Sequence, residues 1–233
     1  MAYTFTIKPW DTGFFGYRVA SIGGDGDLHD LENLLAKMRE QNIKVAYWFF
    51  DFEDEIKSAI AEHFNGVALN RRLTHEYILK NSTTQFVSPR EIQLIRSPSP
   101  EFYQLLFECG KFSRFNADPH FGEMYLKLYR HWADEILANQ VVLGFIDDQK
   151  ISGIAVLEIK NSTGIFNFLA TTSEKRKTGI GKKLTEALIN TAAQHHCKSI
   201  IAYTHRINTP VWKLLESQGF KLMNEESVFH FWL

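Results

Sequence analysis

The chain has 233 residues, 45% of them apolar, which suits one large globular domain or two small ones with a sizeable core. Its 26 Lys and Arg nearly balance 27 Asp and Glu, so no global field draws it onto nucleic acid or an anionic membrane, and any anion site has to be local. No window approaches the ~20 apolar residues of a membrane span, the N-terminus lacks a leader pattern, and Cys109 and Cys197 make no disulfide framework, so a cytoplasmic protein is expected.

TFTIKPW and YRVASIG read as strands. The helix DLHDLENLLAKMREQN follows, with Asp27 as its N-cap and Leu28, Leu31, Leu35 and Met38 on one face. KVAYWFF reads as a buried strand, EDEIKSAIAEHF as a second helix and LTHEYIL as another strand, a βαβαβ order. Residues 81–90, NSTTQFVSPR, carry turn formers and a proline without periodicity, which sets a boundary between a domain 1–84 and a domain 85–233. Next come a strand at EIQLIR, a helix at SPEFYQLLFEC with Pro100 in its first turn, the loop FSRFNADPHF and a long helix through MYLKLYRHWADEIL. Three strands in succession follow, QVVLGFID, ISGIAVLEIK and TGIFNFLATT, the first two joined by an Asp-Asp-Gln turn that suits a hairpin. The chain closes with a basic glycine turn, helix GKKLTEALINTAAQHH, strand SIIAYTH, helix NTPVWKLLESQG and a strand through VFHFWL. This is a mixed α/β protein.

The turn SEKRKTGIGKK concentrates positive charge on a chain with almost none to spare. Ile180, Leu184, Ala187, Leu188 and Thr191 fall at helical spacing, so Gly179 and Gly181 stand at the first turn of a helix. Unpaired amides and the positive end of the macrodipole meet there, and glycine lets an anion approach the backbone. With Arg176, Lys177, Lys182 and Lys183 alongside, a phosphate-bearing ligand suits the arrangement, against the plainer reading of a solvated lysine loop. The nucleotide P-loop pattern and the dinucleotide GxGxxG pattern both fail here, since position 184 is Leu and no Gly-Lys-Ser/Thr ending is present.

What remains is RxxGxG at Arg176, Gly179 and Gly181, between the apolar strand FNFLAT and a helix. In this the sequence resembles the GCN5-related N-acetyltransferase (GNAT) superfamily, and the strand and helix order from about 90 to 233 resembles it too. The resemblance implies a GNAT fold, a mixed central sheet flanked by helices, preceded by a smaller partial GNAT-like α/β domain. It also implies an acyl-coenzyme A co-substrate whose diphosphate sits on Arg176, Lys177, Thr178, Gly179, Ile180, Gly181 and Lys182. Leu169, Ala170 and Thr171 would pair with the pantetheine amides, and an amide near Leu169 or Ala170 would face the thioester carbonyl as an oxyanion donor. Asn208 matches the asparagine that opens the next helix in the superfamily, but position 215, where a tyrosine acid is expected, is Leu.

The segments WDTGFFG (10–16) and SRFNADPHF (113–121) resemble the TDP-fucosamine acetyltransferase group within that superfamily. This implies N-acylation of a dTDP-linked amino-6-deoxy sugar for O-antigen or a related glycan, with acetyl or a longer acyl group such as 3-hydroxybutanoyl. Arg114, Phe115, Asp118, His120 and Tyr125 are the acceptor-binding candidates; a local ion pair and an aromatic anchor are the competing readings for Arg114, Asp118 and Phe115. Trp10, Phe14 and Phe15 read as packing. His205, ending the strand SIIAYTH and suited to take a proton from an ammonium through water, and Glu158, on GIAVLEIK as a second candidate base, are the catalytic candidates in the absence of the tyrosine. His195, His196 and Cys197 are consecutive and cannot all face one metal, so no metal is expected. The alternatives are a GNAT enzyme for another small amine or a protein lysine, or a non-catalytic acyl-coenzyme A sensor; a homodimer is a further possibility, through strand edges.

Overall fold

The computed structural model describes residues 2–79 and 89–233, and the chain forms two compact units. The first holds Met1–Arg72, Ala117–His120 and Glu225–Leu233; the second holds Leu73–Asn116 and Phe121–Asn224. The boundary expected within 81–90 lies almost wholly outside the described residues, and the units part between Arg72 and Leu73.

In the first unit, the stretch expected as one strand, TFTIKPW, divides at its proline. β1 (Thr4–Ile7) ends before it, and α1 (Pro9–Phe15) begins on it, where a missing N–H leaves no helical bond unmade. Gly16 closes α1 at φ 73°, a left-handed cap that favours glycine. β1 pairs antiparallel with β2 (Arg18–Gly23), and β2 runs parallel to β3 (Ile43–Asp51) through the crossover helix α2 (Leu28–Glu40). Asp27 caps α2 as expected, accepting from the Asp30 amide at 2.9 Å, while the Asp30 carboxylate accepts from the Asp27 amide at 3.2 Å. Leu31, Leu34, Leu35 and Met38 turn inward onto Ile22, Trp48 and Phe50. Leu28, expected on that face, is 40% exposed, and Leu34 takes an inward place instead.

α3 (Glu55–His63) adds Ile60 and Ala61 to the same core, and the short β4 (Val67–Ala68) follows it. The terminal strand β11 (Lys221–Trp232), expected in the second domain, places Glu226–Trp232 antiparallel to β3. Phe229 and Phe231 thereby enter the first core, which is why Glu225–Leu233 belongs to this unit.

The second unit contains β5 (Arg72–Ile78) after its first residue, β6 (Ile92–Leu94), α4 (Pro100–Gly110), α5 (Arg114–Ala117) up to Asn116, α6 (Met124–Asn139), β7 (Val141–Asp147), β8 (Lys150–Lys160) and β9 (Thr163–Thr171). α7 (Ile180–Gln194), β10 (Ser199–His205) and α8 (Thr209–Ser217) complete it. Its strand order is β5, β10, β9, β8, β7, β6, with β10 parallel to β9 and the β9–β8–β7–β6 run antiparallel. Asp148 and Gln149, both at positive φ (48° and 62°), form the two-residue hairpin turn between β7 and β8. Alternation along β8 serves both faces: Ile154 and Val156 pack on α4 and α6, whereas Ala155 and Leu157 pack on α7. The loop FSRFNADPHF carries the single turn α5 and a 3-10 turn at Pro119–Phe121.

Candidate active site

The site begins with an irregularity in β9. Its register with β8 reads Val156↔Phe168 and then Leu157↔Phe166, so Asn167 is an extra residue, a β-bulge. On its other side β9 pairs with β10 from Thr163↔Ser199 to Phe166↔Ala202, after which β9 continues to Thr171 and β10 to His205 without further paired residues. Two parallel strands therefore part at the bulge. Leu169, Ala170 and Thr171, beyond the parting, line a cavity of about 400 Å³.

The basic turn supplies a second wall. A 3-10 turn, Ser173–Lys175, leads to Lys177 in the left-handed region (φ 63°) and to Gly179 (φ 88°), the N-cap of α7. Among the described residues no side chain caps this helix. Helix geometry leaves the first-turn amides without an intrahelical partner, and the first return bond runs from Lys183 N to Gly179 O at 3.1 Å. Arg176, Lys177, Gly179, Ile180, Gly181 and Lys182 all line the cavity, together with Lys175, which sequence reasoning omitted. A Cβ built on Gly179 would meet nothing within 4 Å, so open space lies in front of this N-terminus. Among the described residues the lining does not include Thr178, whose hydroxyl donates to Lys175 O at 2.7 Å and so shapes the turn.

Two helices complete the enclosure. From α8 come Pro210, Val211 and Leu214, with Asn208 at the N-cap position making no capping bond, so its side chain is not spent on the helix. Leu215, at the position counted for the superfamily's tyrosine, is 1% exposed in the core; the helix presents Leu214 to the cavity instead. From α4 and the residues after it come Glu108, Cys109 and Phe112, none of them foreseen. Burial pushes the Cys109 thiol up to about 12 against the opposing pull of the Leu169 amide, so this partly exposed wall residue is a protonated thiol at neutral pH.

Neither His205 nor Glu158 is among the described residues that line the cavity. His205 ends β10, half-buried. Glu158 lies below the bulge: its carboxylate pairs with Lys160 at 2.8 Å and accepts from Asn167 Nδ2 at 3.3 Å. Asn167 also donates to Gln140 Oε1 at 3.0 Å, so Glu158 helps to fix the bulged residue.

The acceptor candidates separate by burial. In the second unit, Phe115 is 5% exposed and packs on Phe121 and Trp132, with Arg114 stacked over its ring at 4.1 Å, and Tyr125 is half-buried beside α4. In the first unit Asp118 is 1% exposed and committed inward: Oδ1 bonds His120 Nδ1 at 2.9 Å, while Oδ2 bonds His230 Nδ1 at 2.7 Å and accepts from Trp232 Nε1 at 2.9 Å. Burial raises the Asp118 pKa, but bonds from His230, Trp232 and His120 outweigh it and hold the carboxyl well below the usual range. His120 itself is exposed and stacked on Trp232. Asp118 thus anchors its loop segment to β11, and of the pair only His120 offers a polar atom outward.

A family model described as Acetyltransferase (GNAT) family matches residues 100–220. No curated protein matches the chain. Among solved structures, the GCN5-related N-acetyltransferase from Sphaerobacter thermophilus superposes with a TM-score of 0.62 at 10% identity, covering 99% of this chain and 76% of that one. A tandem GNAT protein from the clavulanic acid biosynthesis pathway gives 0.60 at 12% identity over 92% of this chain and 75% of that one. An acetyltransferase from the GNAT family of Colwellia psychrerythraea gives 0.54 at 13% identity over 87% and 71%. At such identities the likeness speaks to fold, a mixed sheet flanked by helices, and the tandem protein fits a chain of two α/β parts. Among the described residues, no helix is long and apolar enough to cross a membrane.

Proposed function

Because the chain belongs to the GNAT acetyltransferase family, whose members use acyl-coenzyme A as co-substrate, we propose that the cavity between β9, α7 and α8 is where this acyltransferase takes its acyl donor. One observation carries the reading: an uncapped helix N-terminus flanked by cations and the unpaired edge of a bulged strand open onto the same 400 Å³ space. Amides of the first turn of α7, with Arg176, Lys177 and Lys182, take the diphosphate. The β9 edge at Leu169–Thr171 takes the amide-bearing arm, and Asn208 supplies a further polar contact.

In the reaction the acceptor nitrogen attacks the thioester carbonyl, the carbon–sulfur bond breaks, and the products are an amide and the coenzyme A thiol. The proton lost by nitrogen passes to solvent or to the departing sulfur. A thiol pKa of ~8.5 makes that sulfur a fair leaving group without a protein acid. Holding both reactants in near-attack geometry supplies up to ~7–11 kcal/mol. We further infer that His205 and Glu158 act outside the proton path, so H205Q and E158Q keep the wild-type pH profile; a profile that loses a limb in either variant restores that residue as acid or base.

The finer reading concerns the acceptor. We propose the amine of a dTDP-linked amino-6-deoxy sugar, supported by the segments WDTGFFG and SRFNADPHF, with acetyl or 3-hydroxybutanoyl as the transferred group. We also propose that 1–84 is a partial N-terminal GNAT-like domain and 85–233 the acyltransferase domain, the matched region 100–220 falling within the latter. Thiol release from acetyl-coenzyme A is to be measured against a panel of amino sugars, dTDP-amino sugars, free amines and lysine peptides. Release with the nucleotide sugars supports the proposal, and release only with peptides or other amines replaces the acceptor. Coenzyme A binding without turnover on any amine means a sensor.

A further inference from the structure

Most cations of the glycine turn have an acidic neighbour. Lys175 pairs with Asp147, Lys182 lies 3.8 Å from Glu186, and Lys183 lies 3.9 Å from Glu91. Those carboxylates stand outside the cavity lining among the described residues, but Glu108 stands in it. In the last turn of α4, Glu108 accepts from Lys111 Nζ at 2.6 Å through Oε1 and from the Arg176 guanidinium at 2.9 Å through Oε2. The Glu108 side chain is 23% exposed and that of Arg176 54% exposed, so water screens the pair substantially without removing it. The bond from Lys111, then that from Arg176, outweighs partial burial and holds the carboxyl below its ordinary range, so Glu108 is anionic at neutral pH.

A guanidinium presents the same fork to a carboxylate as to a phosphate. We propose that Glu108 sets the affinity of the site by occupying, on Arg176, the place of an incoming diphosphate oxygen. The inference rests on the acyl-coenzyme A reading of the cavity. A diphosphate entering the turn meets a cation already engaged and a like charge beside it. It must share or displace the carboxylate, at a cost absent from a site with a neutral side chain at 108. Donor and product both carry the diphosphate, so the same residue hastens release of coenzyme A after transfer.

The test is the dissociation constant for coenzyme A, by calorimetry, of wild type, E108Q and E108A, each with a melting curve to check the fold. Removing one partly screened like charge predicts binding about three- to tenfold tighter in both variants, the gain shrinking in ~0.5 M salt. Dephospho-coenzyme A, which keeps the diphosphate and lacks the 3′-phosphate, should show the same gain. A gain with coenzyme A but not with dephospho-coenzyme A places the repulsion at the 3′-phosphate and overturns the proposal. Equal or weaker binding by folded E108Q and E108A also overturns it, making Glu108 a strut that holds Arg176 in position, while the cofactor reading stands. Wild type that binds no coenzyme A defeats both together.

Discussion

Gly179 and Gly181 are two residues apart on the same turn, yet their surroundings predict different consequences for the same added methyl. At Gly179 (φ 88°) an L-residue is forced into the left-handed region, a cost of about 1–2 kcal/mol, although a Cβ there touches nothing within 4 Å. For a chain of this size each kcal/mol lowers Tm by about 2–4 °C, so G179A should melt about 2–8 °C lower and still fold. Gly181 lies inside α7, where alanine gains about 1 kcal/mol over glycine, offset by its Cβ standing 3.2 Å from Leu214 Cδ2. G181A is therefore expected within about 1 kcal/mol of wild type. Ligand binding follows the same order, because the Gly179 methyl stands in the open space before the uncapped amides. Losing one charge-assisted bond there, worth about 1.5–3 kcal/mol, predicts coenzyme A binding weakened about 10- to 100-fold or slightly more. Calorimetry with coenzyme A alongside thermal melts measures both quantities. Folded G179A that binds coenzyme A as tightly as wild type refutes the assignment of the diphosphate to this turn.

Asp118→Ala leaves two imidazoles and an indole N–H facing a void and should destabilise the first unit by about 3–5 kcal/mol, read by chemical unfolding followed through tryptophan fluorescence. The native pKa of Asp118 is depressed, so its contribution is present above the ordinary value of 3.8 and fades as pH falls through the native one; the penalty of D118A should shrink in acid. His75 is fully buried and, among the described residues, has no hydrogen-bond partner at either ring nitrogen, Glu216 Oε1 standing 3.8 Å from Nε2; burial lowers its pKa from 6.5 against the pull of Glu216. Stability should therefore decline as pH falls below about 6.5, and H75L should flatten that slope in pH-dependent melts. Cys109, with its pKa pushed up to about 12, should resist iodoacetamide at neutral pH in the folded protein and react once it is unfolded, as intact mass would show.

Local signals made much of this fold readable. The cap at Asp27, the first-turn Pro100, the hairpin turn at Asp148 and Gln149 and the period of α7 each sit within a few residues of what they specify. The basic glycine turn at the start of α7 was readable for the same reason, since Arg176 to Lys182 is one contiguous stretch. What escaped depends on distant parts of the chain meeting. Glu108 reaches Arg176 across 68 positions, and Asp118 reaches His230 across 112; no window of sequence contains either pair. The bulge at Asn167 is a relation between two strands, invisible in the letters of one. Pro9 misled differently, because a strand pattern leading into it masked its fitness to begin a helix. Counting positions from Asn208 also pointed to Leu215, whereas the turn of α8 brings Leu214 to the cavity.

The parting of β9 from β10 carries a consequence for how this protein can change. A strand edge recognises an extended partner through peptide groups, which every residue supplies alike. Replacing the side chains of Leu169 or Thr171 by others that tolerate extended backbone leaves that grip in place, and the stretch is free to drift. On the proposed placement of the donor, preference for one acyl chain over another would fall to the apolar walls, Phe112, Val211 and Leu214, where a single methylene more or less is felt. On that proposal grip and preference lie on separate elements, and one could be altered without loss of the other.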